Sequence, residues 1–451
     1  MERARWMTLI ASAWLLGSCA TVQFERDVDR AASLVDERSG LASAWDQEGE
    51  LASIWDGRSP LTSDQAATLA LRQNRELRAE LEQIAGARAD LVQAGLLPNP
   101  VLSLAFRLPL QGGNATFDAD LVQQFTDVWL RPYRKGAAQA ELDRVVLSAS
   151  DRALRLVASV RQTHARIIAT QRGLDLTTED EQILRRSLDA TEGRVRAGEA
   201  TQLDVARVQQ QLLGLEAVVR REAGQLDRLK RDLLLGMGMA GASVDWTARA
   251  PEPEPQRMAL VDLVESDLEV RVREQRLDVA AARYLLDAKR QELSAADWRR
   301  GKPGVDVGAS FEAADGDGEL GPAVGLSLPI FDTGRARVEK AKAALRAEEA
   351  RVQQAEQQAT NQARVAFTAL RRARDLATFY GEQVLTLAGS NLERAEAALR
   401  AGTADQTVLL EAQRELIEAR RTLNELRSDI AVSEEDLIYA LGGWPSSRRA
   451  R

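Results

Sequence analysis

The sequence predicts a mainly α-helical fold with a small β part, in which one unit (helix, β-hairpin, long helical hairpin) occurs twice. Three observations lead there. First, the run Val195 to Leu212 returns as Leu399 to Leu416, with Arg196/Arg400, Ala197/Ala401, Gly198/Gly402, Ala200/Ala404, Gln202/Gln406, Gln209/Gln413 and Leu212/Leu416 coinciding. Each copy closes a long charged, Ala-rich run with a glycine able to take φ > 0 and then opens a second run, which is the pattern of a helical hairpin tip. Second, charged residues make up 28% and aromatics only 4% of the 451 residues, a composition suited to long helices in shallow contact. Third, two short stretches change to strand-like period: Val101 to Leu108 with Phe117 to Phe125, and Val305 to Phe311 with Ala323 to Leu328.

The same composition excludes several functions. A net charge of −8 without a basic stripe argues against nucleic-acid binding. A mean hydropathy of −0.30, with no run of about 20 apolar residues, excludes a transmembrane helix. The sole histidine, His164, stands without a metal-ligand or catalytic constellation, and no convergent set of reactive groups marks an enzyme. Asp315 to Glu319 has the acids of a calcium loop but not the twelve-residue spacing of an EF-hand, and reads as a hairpin turn. No cofactor or resident metal is expected.

In chain order, Arg3 and Arg5 precede an apolar run from Trp6 to Leu16 and then Leu16, Gly17, Ser18 and Cys19, the only cysteine. These residues resemble a lipoprotein signal peptide over 1–18 ahead of Cys19, the alternative being a plain secretory signal with an incidental cysteine. A strap over 19–60 follows, extended or partly helical, with Trp45 and Trp55 as anchors in a decamer echo. The first repeat covers 61–237. Thr62 caps a helix, with Gln65 in the capping-box position, that runs to about Ala94 before Gly95 and Pro98-Asn99-Pro100 stop it. Gln111 to Asn114 turns the first hairpin, and after Trp129 and Pro132 a helix of about 65 residues, roughly 95 Å at 1.5 Å per residue, reaches the first tip at 196–201. Thr201 to Leu235 returns.

A stiff linker over 238–257, with Pro251, Pro253 and Pro255, joins the second repeat at 258–442: a helix from Met258 to Trp298, the second hairpin, a rod from Arg335 to the tip at 400–405, and a return arm before the tail at 443–451. In the second rod Val338, Leu345, Val352, Ala359, Ala366 and Ala373 recur every seventh residue, with Ala341, Ala355 and Ala369 at the alternate seam position and Glu348 and Gln362 interrupting.

The strands carry the functional argument. Leu102, Leu104 and Phe106 share one parity, as do Val305, Val307, Ala309 and Phe311, so one sheet face is apolar. Four strands cannot close a lipid-exposed barrel, because both margins would leave unpaired N–H and C=O groups in hydrocarbon. Three copies give twelve strands, enough for a conduit. A soluble sheet covered by helices is the alternative, although narrow rods offer no face wide enough to cover it. Phe125, Trp129, Tyr133, Trp298 and Phe331 flank the strand ends as an interfacial belt or strand-to-helix packing.

Gln93 to Ser103, Leu326 to Arg335 and the twin Arg-Ala-Gly tips together resemble the outer membrane factor (TolC) family, over roughly residues 62–442. That resemblance implies a homotrimer with a 12-stranded outer-membrane β-barrel and a 12-helix periplasmic α-barrel, contacting outer-membrane lipid and receiving substrate from an inner-membrane pump through a periplasmic adaptor. The resemblance of Leu16-Gly17-Ser18-Cys19 to a lipobox implies a lipid anchor (diacylglyceryl and palmitate) on Cys19, which also fits many members of the family. The adaptor-contacting tips would be Arg196, Ala197, Gly198, Arg400, Ala401 and Gly402, and Asp204 and Glu411 would be gate or constriction residues. The family's latch partners are replaced here by Leu399 and Ala404, so any latch uses other contacts, Arg196 or Arg400 being candidates. The expected function is the passive exit duct of a tripartite efflux system. The strap from Asp29 to Trp45 and the run Gln93 to Pro100 are similar to the heavy-metal efflux branch, drugs being the other substrate class. A periplasmic adaptor and a structural coiled-coil protein are the rivals.

Overall fold

The computed structural model describes residues 22–42, 45, 53–108, 115–250, 260, 263–314 and 317–444. Cys19, part of the decamer echo, the first hairpin turn and Pro251 to Pro255 lie outside the described residues. The chain divides into two compact units: Met1–Arg30, Glu80–Ala149 and Asp278–Ala355 form the first, and Ala31–Ala79, Ser150–Leu277 and Glu356–Arg451 the second.

The elements in order are helices α1 (Glu25–Ser39), α2 (Ser63–Gln73) and α3 (Arg75–Ala94); strands β1 (Val101–Arg107) and β2 (Thr116–Gln124); helices α4 (Thr126–Ala197), α5 (Gln202–Gly236), α6 (Glu265–Gln275) and α7 (Leu277–Arg299); strands β3 (Gly304–Ala314) and β4 (Asp317–Ser327); and helices α8 (Arg335–Phe379), α9 (Leu385–Arg400) and α10 (Gln406–Ala440), with a π-helical turn at Tyr380–Val384 between α8 and α9. The order helix, hairpin, long helix, return helix therefore occurs twice.

Several expectations need correction. The helix expected from Thr62 to Ala94 is two helices meeting at Asn74, and the one expected from Met258 to Trp298 becomes α6 and α7, meeting at Arg276. Neither break contains Gly or Pro. Asn74 (φ −62°, ψ 119°) and Arg276 (φ −69°, ψ 122°) adopt extended backbone, and the Asn74 Oδ1 accepts from Leu77 N at 2.9 Å, recapping the chain as α3 begins. The long helix α4 starts at Thr126, ahead of Pro132, which its second turn absorbs. In the second rod Val338, Val352, Ala359 and Ala366 are buried, but beyond Ala359 the alternate seam is Ala363 and Leu370, while Ala369 is exposed. A straight helix at 3.6 residues per turn drifts off a strict seven-residue seam.

In the first unit the four strands form one antiparallel sheet in the order β1-β2-β3-β4. β3 and β4 each hold 11 residues, longer than the sequence suggests, because Gly318, Gly321 and Pro322 lie inside β4 rather than in the turn. Pro322 is tolerated because β4 is a margin of the sheet, where a missing N–H leaves no ladder bond unmade. Asp317 and Glu319 of the calcium-like run are strand residues. Arg88 holds Asp27 with two bonds of 2.6 Å, fastening α1 to α3.

In the second unit Thr62 caps α2 with the full capping box to Gln65, as the sequence indicates. Trp55 stands edge-on to the fully buried Trp246 with ring centroids 5.6 Å apart. The Lys230 Nζ donates to Val244 O at 2.9 Å and lies 5.3 Å from the Trp246 ring, so burial of this ammonium is offset by carbonyls and an aromatic face. His164 is 1% exposed and its Nε2 lies 2.8 Å from Leu61 O, which fixes it as a donor inside the core. Burial lowers its pKa, with the Leu61 carbonyl and Asp64 opposing.

Candidate functional site

The register sorts the sheet into two chemically opposite faces. Phe106 faces Phe117, Leu104 faces Ala119 and Leu102 faces Leu121; across the next ladder Phe117, Ala119, Leu121 and Gln123 meet Ala313, Phe311, Ala309 and Val307. Those continue to Gly318, Leu320, Pro322 and Val324. Among these paired residues Gln123 is the one polar side chain on that face. Far from being covered, the face is open: Leu104 is 63%, Phe106 65%, Leu320 75% and Val324 65% exposed. A contiguous apolar surface of this extent on an antiparallel sheet marks a contact with lipid or with another apolar surface.

The opposite face carries Asp118, Asp120, Asp306, Glu312 and Glu319 against Arg107, which pairs with Asp118 at 2.9 Å. Asp118, Glu312 and Glu319 stand directly abreast in neighbouring strands. Like charges set opposite one another destabilise a sheet unless water or cations screen them, so this is a wet, anionic face. β1 and β4 each have one neighbouring strand among the described residues, which leaves both margins of the sheet open.

The two tips share a backbone. Gly198 (φ 79°) and Gly402 (φ 70°) occupy the left-handed region; Glu199 N donates to Arg194 O at 2.8 Å, and Thr403 N donates to Ala398 O at 2.9 Å. Three residues beyond each glycine stands the N-cap of the return helix, Thr201 in one tip and Asp405 in the other. The caps differ. Thr201 forms a capping box with Asp204, whose Oδ2 accepts from Thr201 N at 2.9 Å and from its hydroxyl at 2.7 Å, whereas the Asp405 Oδ1 alone accepts from Thr407 N and Val408 N.

The sequence-selected residues are distributed accordingly. Arg196, Ala197, Gly198, Ala401 and Gly402 are exposed at the tips, as is Arg400, whose Nε donates to Glu396 O within its own helix. Asp204 is tied into the Thr201 cap; those hydrogen bonds hold its carboxyl below the usual carboxylate range, with Arg207 and Arg194 adding to them. Glu411 is exposed, one residue past Leu410, which packs with Ile417 against Ile183 of α4. Neither Arg196 nor Arg400 bridges the hairpins. Arg194 does, lying 3.6 Å from Asp405, and the sequence hides it because it stands one residue ahead of the repeated run, where the second copy has Ala398. Deeper along the arms Arg414 meets Asp180 at 3.0 Å, Arg421 meets Glu222 at 2.8 Å, and the Asn424 Nδ2 donates to Ala169 O at 2.8 Å, a polar register pin in the seam. Among the described residues no cluster of three His, Cys, Asp or Glu is placed to hold a metal ion.

Residues 268–443 match the family model described as outer membrane efflux protein. That match covers most of the second repeat. No curated protein matches the chain in sequence. Among solved structures, CusC is 19% identical over 84% of this chain and 92% of its own, with a TM-score of 0.71. The outer membrane protein VceC of Vibrio cholerae is 19% identical over 84% and 96%, with a TM-score of 0.70. The open-state MtrE outer membrane channel of Neisseria gonorrhoeae is 19% identical over 84% and 88%, with a TM-score of 0.68. Both repeats thus share the fold of these outer-membrane proteins.

Proposed function

We propose that the chain is the outer-membrane exit duct of a tripartite efflux system, passive in itself and fed by an inner-membrane pump through a periplasmic adaptor. The observation that carries this is the sheet: one face apolar and open, the other anionic, both margins unpaired among the described residues. In hydrocarbon an unpaired margin costs several kcal/mol per orphaned group, about 5 kcal/mol being a representative scale, so sister copies must complete the circle. Three copies of four strands make a 12-stranded barrel, with the apolar face toward lipid and the anionic face toward the lumen. The helical hairpins of the same three copies supply a 12-helix periplasmic barrel, with Arg196 to Gly198 and Arg400 to Gly402 offered to the adaptor. Cys19 carries the lipid anchor, and Asp204 and Glu411 line the constriction.

Substrate choice rests with the pump, heavy-metal ions being the first class to try and drugs the second. The anionic lumen makes the pore cation-preferring. Planar-bilayer recording of the purified protein tests this. Discrete conductance steps with cation preference are expected, and Glu312→Gln with Glu319→Gln should lower that preference. A water-soluble monomer with no conductance would end the reading.

A further inference from the structure

The end of the sheet where the strands hand over to helices differs in charge from the rest of the molecule. Residues 297–302 and 329–342 hold seven basic and three acidic side chains in a chain whose net charge is −8. These two stretches are joined: Gly301 N donates to Thr333 O at 3.1 Å, and a Cβ at Gly334 (φ 76°) would meet the Arg300 backbone at 3.4 Å. The acids are largely engaged, Asp297 with Arg300 at 3.4 Å, Asp332 with Arg337, and Glu339 with Lys342 at 2.9 Å. Arg299, Lys302 and Arg335 are exposed and have no carboxylate at ion-pair distance among the described residues.

Apolar groups are set into the same surface. Phe331 is 100% exposed, Ile330 71% and Leu328 64%. Beside them Phe125 stands edge-on to Trp129 at 5.4 Å, Trp129 stacks on Trp298 at 6.0 Å, and the Lys302 Nζ lies 3.9 Å from the centre of the Trp298 ring. An aromatic stack capped by an ammonium next to a fully open Phe has the form of a membrane-interface anchor, in which rings take the acyl boundary and cations take phosphate.

We propose that this collar is a binding surface for anionic phospholipids, with Arg299, Lys302 and Arg335 meeting the headgroup phosphate while Trp129, Trp298 and Phe331 sit at the acyl boundary. The proposal rests on the reading of the sheet as membrane-spanning. It commits to phospholipid because the cations are continuous with the apolar sheet face through Leu326 and Leu328, which are 58% and 64% exposed. A soluble anion would have no use for that continuity.

The test uses the full chain in phosphatidylcholine bilayers containing either spin-labelled phosphatidylglycerol or spin-labelled phosphatidylcholine, and reads the motionally restricted fraction of each. The native protein should select the anionic label, with about fivefold of selectivity for each basic side chain at the surface. The triple variant Arg299→Gln, Lys302→Gln, Arg335→Gln should lose that selectivity, and Lys302→Gln alone should lose part of it. A charge-matched control, Arg371→Gln, Arg372→Gln, Arg394→Gln, should keep it. Equal restriction of both labels by the native protein overturns the proposal while leaving the duct reading intact, and so does selectivity that survives in the triple variant or vanishes in the control. No restricted component with either label overturns the membrane reading, and this inference with it.

Discussion

At the end of α5 the chain turns through Gly236, Met237 and Gly238; at the end of α10 it turns through Ala440, Leu441 and Gly442. The hydrogen bonds match one for one. Met237 N donates to Leu233 O, Gly238 N to Leu235 O and Met239 N to Leu234 O, while Leu441 N donates to Leu437 O, Gly442 N to Tyr439 O and Gly443 N to Ile438 O. Each turn presses a glycine of positive φ, 75° and 88°, onto the last carbonyl before a helix break, at Gln73 and Gln275. Only the side chains that fasten the breaks differ. In the first repeat the Asn74 Nδ2 donates to Gly236 O at 2.9 Å. In the second the buried Arg276 donates to Ala440 O at 3.3 Å and Gln362 Oε1 at 3.1 Å, and lies 5.2 Å from the centre of the Tyr439 ring. The close backbone approach is common to both hinges, and the side chains that hold it have diverged.

The strongest way to break this comparison is at the glycines. A Cβ at Gly238 would sit 2.5 Å from Gln73 O, and one at Gly442 would sit 2.7 Å from Gln275 O. With the unfavourable φ added, Gly238→Ala and Gly442→Ala should each cost about 3 kcal/mol or more, and a thermal melt showing either to be neutral would mean that the two hinges are not equivalent.

The next largest effect separates the fasteners. Arg276→Ala strips a buried cation from two acceptors and an aromatic face and should cost about 3 kcal/mol, whereas Asn74→Ala should cost about 1–2 kcal/mol. Chemical denaturation of both variants would show whether the second hinge is the more tightly held.

The tip glycines give a smaller effect. Gly198 and Gly402 have positive φ, but a Cβ at either would meet nothing within 4 Å, so alanine should cost about 1 kcal/mol, from backbone alone. If Gly402→Ala instead matched Gly442→Ala, the tip would be packed against something, and adaptor binding would be the place to look.

The smallest effect belongs to the first repeat alone. His164 is matched 204 positions later by Thr368, so only the first repeat carries this titration. Burial keeps the folded imidazole neutral and lowers its pKa below that of the unfolded chain. The unfolded state therefore takes up more protons as pH falls through about 6.5 toward the folded pKa, and stability that is full above that range declines below it. Denaturation of native protein and His164→Gln at pH 7.5 and pH 5 should show a larger acid loss in the native chain; equal losses would remove His164 as the cause.

The duplication was legible because Gly198 and Gly402 must each break a helix, and backbone needs of that kind surface directly in sequence. The apolar strand parity was legible for the same reason, since alternation has a single structural reading. What was hidden is tertiary. Asn74 and Arg276 sit among ordinary helix formers, and each break is held by donation to a distant carbonyl, with a local cap at Asn74 as well. The π turn at Tyr380–Val384 holds Gly381, but one glycine in a long helical run does not distinguish a π turn from a continuous α-helix. At the candidate sites the tip residues were readable from the repeat, whereas the Arg194 and Asp405 pair depends on two arms meeting, and the length of β4 depends on its lying at a margin, where Pro322 does no harm.

β2 pairs with β3 across about 190 residues of intervening chain, Ala119 meeting Phe311. For the outer-membrane duct proposed above, the first hairpin must emerge during export and wait while all of α4 to α7 is threaded through behind it. For that interval its oily side meets water without a companion. Escort by a holdase, or delay of strand pairing until the chain reaches a bilayer, is thus a requirement of how these segments are ordered along the polypeptide.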